Sequence, residues 1–248
     1  VILCLDCGNS RLKWGLRDLP DGSQWIASGV LAHTEIAQLA RQLPVGCEPR
    51  TIVGCNVAGP ECAREIEVAL KEIFEVQVKW ITSLAAQCGV VNGYDNPASL
   101  GADRWAALIG ARVLHRGATL VVLAGTATTI DVLDADGKHQ GGLILPGLSM
   151  MANALTAGTA RLPIAQGQFR QLPRNTHDAI TSGAIQATLG AIQRMFAVLQ
   201  PDHDAICLLA GGAADSLQTQ LVVPYQRVDK LVLEGLACIG TAQCADPA

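Results

Sequence analysis

One stretch constrains this chain more than any other: Leu120-Val121-Val122-Leu123-Ala124-Gly125-Thr126-Ala127-Thr128-Thr129-Ile130-Asp131. An apolar run breaks into small and hydroxylated residues, then resumes as an apolar alternation. The pattern reads as a buried strand, a tight turn and a returning strand. A glycine without Cβ lets a ligand come close to the backbone. The threonines and N–H groups of such a turn can donate hydrogen bonds to phosphate oxygens. An ordinary β-hairpin rich in β-branched residues carries the same pattern, so this stretch alone leaves both readings open.

The start of the chain echoes the layout. Ile2-Leu3-Cys4-Leu5-Asp6-Cys7-Gly8-Asn9-Ser10 is an apolar run reaching a glycine and small polar donors, and Lys13-Trp14-Gly15-Leu16 returns as a second strand. Asp21-Gly22 predicts a turn into a third strand at Trp25-Ile26-Ala27. In the later copy Asp136-Gly137 predicts the turn and Gly142-Leu143-Ile144 the third strand. Two such units with a glycine in matching place point to an internal duplication. Two turns of this kind facing each other across a cleft would grip a polyphosphate from both sides.

A chain of 248 residues can form one large domain or two of roughly 100–150 residues. The duplication favours two, 1–116 and 117–248. Half the residues are hydrophobic and 16% are charged, which supplies a core and argues against disorder. The net charge of -4, with no block of lysine or arginine, disfavours a nucleic-acid partner. No apolar run approaches the ~20 residues of a membrane span. The first residues read as a strand rather than a secretory segment, so the expected location is cytoplasmic. The nine cysteines lie mostly in apolar segments and read as buried thiols of a reducing compartment. Cys4 and Cys7 form a lone C-x-x-C. Strand positions three apart face opposite ways, so this pair cannot clamp one metal without a turn between. The five histidines show no ligand spacing and read as solvated or structural.

After the first three strands, His33 to Leu43 has helical spacing, Thr51 to Val57 reads as a buried strand, and Pro60 opens a helix reaching Phe74. Val76 to Ile81 alternates as another strand. The order is that of a mixed sheet covered by helices, an α/β fold. A loop rich in turn formers, Val90 to Pro97, leads to a helix from about Ser99 to Leu114 that is expected to bridge the halves. In the second half, Leu148 to Leu155 reads as helix and Pro163 to Arg174 as irregular. Thr176 can N-cap a long helix to about Leu199. A strand at Ala205 to Ala210 runs into Gly211-Gly212, which opens a helix, and Val228 to Thr241 holds a final one.

Four residues can carry chemistry. Asp103, at a helix start, can act as general base on a substrate hydroxyl, with the Arg104 guanidinium binding substrate. Equally, Asp103 can stabilise the helix dipole with Arg104 as a surface charge. Asp6, at a strand end before the glycine turn, can hold Mg²⁺ or close an Asx-type turn. Lys13 can reach phosphate or lie as a solvated strand edge.

Taken together, Asp6-Cys7-Gly8-Asn9-Ser10, Gly101-Ala102-Asp103-Arg104, and Gly125 to Asp131 followed by Gly141-Gly142-Leu143-Ile144-Leu145-Pro146-Gly147 resemble the motif set of type III pantothenate kinases, a family that includes proteins named Bvg accessory factor. The resemblance covers essentially the whole chain. It implies two ribonuclease H-like domains of the acetate kinase, sugar kinase, Hsp70 and actin superfamily, with ATP in the cleft. It also implies transfer of the γ-phosphate to the 4′-hydroxyl of pantothenate, the first step of coenzyme A synthesis. Asp6, Cys7, Gly8, Asn9, Ser10, Arg11, Leu12 and Lys13 would form the first phosphate loop, with Mg²⁺ at Asp6, and Thr126 would lie on the second. Asp103 would accept the proton. Tyr94, Gly101, Ala102, Asp103 and Arg104 would contact pantothenate. Thr176 would reach pantothenate across a homodimer interface, and Gly211 and Gly212 would lie near the adenosine. One departure stands out: family members commonly carry aspartate two residues before Gly125, where it helps hold potassium or ammonium. Here that residue is Leu123, with Asp131 as a possible substitute. A non-catalytic accessory protein that kept the nucleotide fold is the alternative from another class.

Overall fold

Ile2–Cys7 (β1) is buried along its whole length, as a strand covered on both faces must be. The computed structural model describes residues 1–18, 24–158, 167–199 and 202–245. The turn expected at Asp21-Gly22, and residues 163–166 of the expected irregular segment, lie outside them. β1 pairs antiparallel with β2 (Arg11–Arg17), which pairs with β3 (Trp25–Ala32). His33–Gln38 then forms a 3-10 helix rather than the first turns of an α-helix, followed by the short α1 (Leu39–Gln42). β4 (Thr51–Asn56) returns parallel to β1, and α2 (Pro60–Lys71), with proline in its first turn, leads to β5 (Val78–Trp80). A small hairpin of β6 (Ala86–Gln87) and β7 (Val90–Val91) precedes α3 (Ala102–Leu114).

The second half repeats the plan. β8 (Thr119–Ala124) pairs antiparallel with β9 (Ala127–Leu133), which pairs with β10 (His139–Pro146). Gly137, at φ +84°, makes the turn between β9 and β10 as expected. α4 (Leu148–Gly158) and the long α5 (Thr176–Phe196) follow. β11 (Ile206–Ala210) lies parallel to β8, and α6 (Ala214–Gln218) leads to β12 (Tyr225–Arg227), a strand with no clear signal in its sequence. α7 (Leu231–Ala245) closes the chain. The two sheets run β3-β2-β1-β4-β5 and β10-β9-β8-β11-β12, the same order with the same directions, so the duplication seen in the hairpins extends to whole sheets.

Contacts divide the chain into one unit of Val1–His115 with Lys230–Ala248 and another of Arg116–Asp229. The expected second domain, 117–248, therefore gives up its last helix to the first unit. In that unit Leu3, Leu5 and Cys7 point toward Ile36, Leu39, Ile66 and Leu70, while Ile2 and Val53 face α7 near Gly240. Glu234 on α7 accepts from Arg17 at 2.5 Å and from the Trp25 indole at 2.7 Å. In the second unit Leu120, Val122, Ile130 and Val132 pack with Ile185, Leu189, Ile192 and Phe196 of α5. No helix among the described residues is long and apolar enough to cross a membrane.

α3 and α7 meet backbone to backbone at Gly110 and Gly235. A Cβ at Gly110 would strike the Leu231 carbonyl oxygen, and one at Gly235 the Ala106 carbonyl oxygen. Alanine ordinarily stabilises a helix by up to about 1 kcal/mol over glycine. Here the obstacle is backbone, which cannot rotate away, so Gly235→Ala is expected to cost about 1–3 kcal/mol net. Urea unfolding of the full chain checks this, and an unchanged or higher midpoint would contradict the close packing.

Candidate active site

β1 ends in a turn, Gly8-Asn9-Ser10, closed by the Gly8 N–H donating to the Arg11 carbonyl at 3.2 Å. In the second unit the Gly125 N–H donates to the Ala127 carbonyl at 3.0 Å. Neither glycine has positive φ, and a Cβ on either would meet only one carbonyl oxygen at 3.5–3.6 Å. The fold itself therefore does not demand glycine at these positions, which fits their use for close approach of a ligand. Asn9, Ser10 and Arg11 are exposed at the first turn, and Gly125 and Thr126 at the second. Cys7 and Leu12 belong to the hydrophobic core, so only their backbone is available to a phosphate.

The second turn is braced from behind. Gly147 donates to the Thr126 carbonyl at 2.9 Å, and its missing Cβ leaves room for the Gly125 and Thr126 carbonyl oxygens. Gly211, at φ +102°, lies against the Ala124 backbone, whereas Gly212 has open space around its Cα.

Asp6 sits near the end of β1, two residues before Gly8, in register with Lys13 on β2 and Cys55 on β4. It is 7% exposed. Lys13 Nζ lies 3.8 Å from one carboxylate oxygen, and the Cys55 thiol donates to the other at 3.5 Å. Burial raises the Asp6 pKa above the ordinary carboxylate value; Lys13 opposes the shift and the charge of Asp103 adds to it. Asp103 is thus electrostatically joined to Asp6 within the first unit. It occupies the second position of α3 and accepts from the Arg104 backbone N–H at 2.8 Å. A Cβ at Gly101 would crowd its carboxylate at 2.8 Å, so that glycine makes room for it.

Arg104 is not a surface charge: it is 4% exposed. It donates to the Tyr94 hydroxyl at 2.6 Å, with its guanidinium 5.4 Å from the Tyr94 ring centroid. Asn92 holds the loop that carries Tyr94, accepting from the Tyr94 N–H at 3.0 Å and donating to the Leu84 and Pro97 carbonyls at 3.2 Å. Ala102, beside Asp103, is half-exposed. Thr176 is exposed at the first residue of α5, but it is not the cap. Asn175 accepts from the Asp178 N–H at 2.9 Å, since its extended backbone suits the capping position.

Two cation sites implied by the resemblance fare differently. A buried carboxylate, raised in pKa by burial and by the charge of a second carboxylate, is a donor that a divalent cation would relieve, so Asp6 fits Mg²⁺. The monovalent site does not fit. Leu123 offers no side-chain oxygen, and the Thr129 hydroxyl opposite it in register is buried with no hydrogen-bond partner among the described residues. Asp131 does not replace the missing carboxylate. It is buried, bonded to His139 Nε2 at 2.8 Å, and lies two residues along β9 from Thr129, the register partner of Leu123, about 7 Å at the strand rise.

Sequence reasoning missed two neighbours of the first turn. Cys55 touches Asp6, and His33 Nε2 lies 2.8 Å from the Gly8 carbonyl. Both contacts join residues more than 20 positions apart, and no local pattern marks either one.

A family model described as type III pantothenate kinase matches residues 2–198. The type III pantothenate kinase of Aromatoleum aromaticum is 51% identical over 245 residues, covering 99% of this chain and 100% of that protein. Among solved structures, a conserved Baf family protein from Campylobacter jejuni aligns with a TM-score of 0.58 at 20% identity, over 98% of this chain and 100% of that one. The activator of 2-hydroxyisocaproyl-CoA dehydratase from Clostridium difficile, with bound ADPNP, aligns at 0.51 and 10% identity, over 100% and 98%. The fold is that of the acetate kinase, sugar kinase, Hsp70 and actin superfamily, with its ribonuclease H-like units.

The raised Asp6 pKa sets a stability test. Folding favours the protonated carboxyl, so stability falls as pH rises from the unfolded value of about 3.9 through the higher folded one. Above that window the buried charge is a standing cost. Asp6→Asn is therefore expected to melt no lower than the parent chain at neutral pH, and the two should converge in acid, where the carboxyl is neutral in both states. Calorimetric melts across that range check it. A markedly lower melt for the variant at neutral pH would mean that the ion pair with Lys13 outweighs burial.

Proposed function

The chain belongs to the type III pantothenate kinase family, and from that premise we propose how its own residues carry the reaction. It is an enzyme that phosphorylates pantothenate to 4′-phosphopantothenate with ATP, the first step of coenzyme A synthesis. The site assignment rests above all on one observation: the first unit brings Asp6 and Asp103 within electrostatic reach beside an exposed, glycine-bearing turn.

The N–H groups of the Gly8–Ser10 turn, the side chains of Asn9, Ser10 and Arg11, and Lys13 Nζ are donors suited to ATP phosphates. Thr126 is the second unit's donor. Asp6 would hold Mg²⁺, which when bound supplies neutralisation of phosphate charge. Asp103 accepts the proton of the pantothenate 4′-hydroxyl as that oxygen attacks the γ-phosphorus, and ADP departs. Its carboxylate is turned toward its own helix start, where Gly101 leaves space for it. Arg104 and Tyr94 orient pantothenate. A buried guanidinium already hydrogen-bonded to a phenol is a prearranged donor set for a polar, carboxylate-bearing substrate. Phosphoryl transfer is mainly positioning and charge neutralisation, so these static arrangements are the kind the reaction needs.

Purified chain with ATP, Mg²⁺ and pantothenate is expected to form phosphopantothenate, read by mass spectrometry. Asp103→Asn keeps the size and the helix-start hydrogen bond but cannot take the proton. Turnover should fall about 10²–10⁴-fold with little change in melting. Retention of more than about a tenth of turnover would remove Asp103 as the base. Arg104→Lys keeps the charge and loses the planar fork, and is expected to raise the pantothenate KM more than it lowers kcat.

The active assembly is a homodimer in this proposal, with Thr176 reaching the partner's pantothenate. Thr176 is exposed, and the outer face of α5 presents Ala179, Gly183, Ala187 and Gly190, small residues that let a second helix approach closely. Light scattering should give twice the chain mass. A fully active monomer would reject the shared site.

With Leu123 in place of the usual carboxylate, activity is expected to respond weakly to potassium. A KCl titration at fixed ionic strength, against a bulky-cation control, should be nearly flat. Leu123→Asp should gain a saturable response, because it places a carboxylate opposite the Thr129 hydroxyl. A sharp response in the parent chain would show that other groups hold the ion.

A further inference from the structure

Cys7, at the end of β1, meets Cys62 in the first turn of α2, with the two sulfurs 2.6 Å apart. A ring nitrogen of His33 lies close to both, all three donor atoms falling within 4.8 Å of one another. The sequence pairs Cys7 with Cys4; the fold pairs it with residues 26 and 55 positions away. The catalytic reading above uses neither Cys62 nor His33. We propose that Cys7, Cys62 and His33 form a binding site for a thiophilic divalent cation, zinc by preference, separate from Mg²⁺ at Asp6.

Four observations support it. Two sulfurs and an imidazole are the donor types zinc prefers, and three protein ligands leave the fourth tetrahedral position to solvent. His33 Nε2 is 2.8 Å from the Gly8 carbonyl. A carbonyl only accepts, so Nε2 carries a proton, and in the neutral imidazole the lone pair is then on Nδ1. A ring N–H held by a backbone carbonyl is a usual companion of a metal-bound histidine. His33 also lines a cavity of about 520 Å³ with Arg64, Glu65 and Val68, which leaves the half-exposed ring room to turn. Finally, Asp6 and Glu65 both add negative potential at Cys7, which favours a cation there.

Tetrahedral zinc with Zn–S near 2.3 Å sets its sulfurs about 3.8 Å apart. The cysteines must therefore open by about 1 Å, within reach of small side-chain rotations. Burial holds the Cys7 thiol protonated in the free chain. Binding releases the protons of Cys7 and Cys62 to solvent and leaves two thiolates and a neutral imidazole on the cation. The inference stands on these side chains alone and does not depend on the kinase assignment.

The test is a cobalt titration of the full chain, stripped with chelator and kept reduced. Thiolate-to-cobalt charge transfer should saturate at one equivalent and be abolished by one equivalent of zinc. Cys62→Ser should lose the band. His33→Ala should weaken cobalt binding by more than the ~10–100-fold typical of outer partners. Cys88 lies against Cys238 and forms a second thiol pair, so the variants also identify the source of any band. The proposal is overturned if folded, reduced wild-type chain gives no band, or if Cys62→Ser keeps the full band. A band that survives His33→Ala unchanged would remove the histidine from the site and overturn the three-residue assignment.

Discussion

The contact between α3 and α7 is the constraint on which the rest of the first unit depends. Gly110 and Gly235 let the two helix backbones touch, and a side chain at either would push them apart. α3 carries Asp103 and Arg104 at its start, so its position fixes where these two side chains stand relative to β1. α7 in turn covers the β1 face that carries Ile2, and Glu234 on it clamps Arg17 and the Trp25 indole. The last helix thus completes a core begun at the first strand, and the packing distance between two helices sets where Asp103 and Arg104 stand.

Asp6 is a costly charge to place in a fold. A carboxylate almost fully buried, with one lysine at 3.8 Å and a second carboxylate nearby, is an expensive element in a core. The fold offsets only part of that cost, through Lys13 and the Cys55 thiol. A site that binds a divalent cation and phosphates is a setting in which such a charge finds its compensation. Arg104 shows the opposite economy, being buried but satisfied by Tyr94 in a loop that Asn92 holds open.

The two sheets share one plan but not one chemistry. Asp6 and Leu123 both stand two residues before the glycine of their turns, and one is a buried acid while the other is aliphatic. The Thr129 hydroxyl opposite Leu123 has no hydrogen-bond partner among the described residues. The buried Asp131–His139 pair is bonded within the second sheet, away from the turn.

Much of this was legible in the chain. Period-two alternation, the paired glycine turns and the apolar runs of β1 and β8 determined the strands, because strand burial is a local pattern. The duplication followed from glycine spacing, and the motif set named the chemistry. What the sequence could not state were the contacts of distant residues. That α7 belongs to the first unit, that Arg104 is buried on Tyr94, that Asn175 rather than Thr176 caps α5, and that His33 and Cys62 meet Cys7 were decided only in three dimensions. The reason is physical. Local backbone preference and hydrophobic periodicity act over a few residues and are written along the chain, whereas the distance between two side chains far apart in sequence is set by how helices and sheets pack, and packing depends on every residue between them.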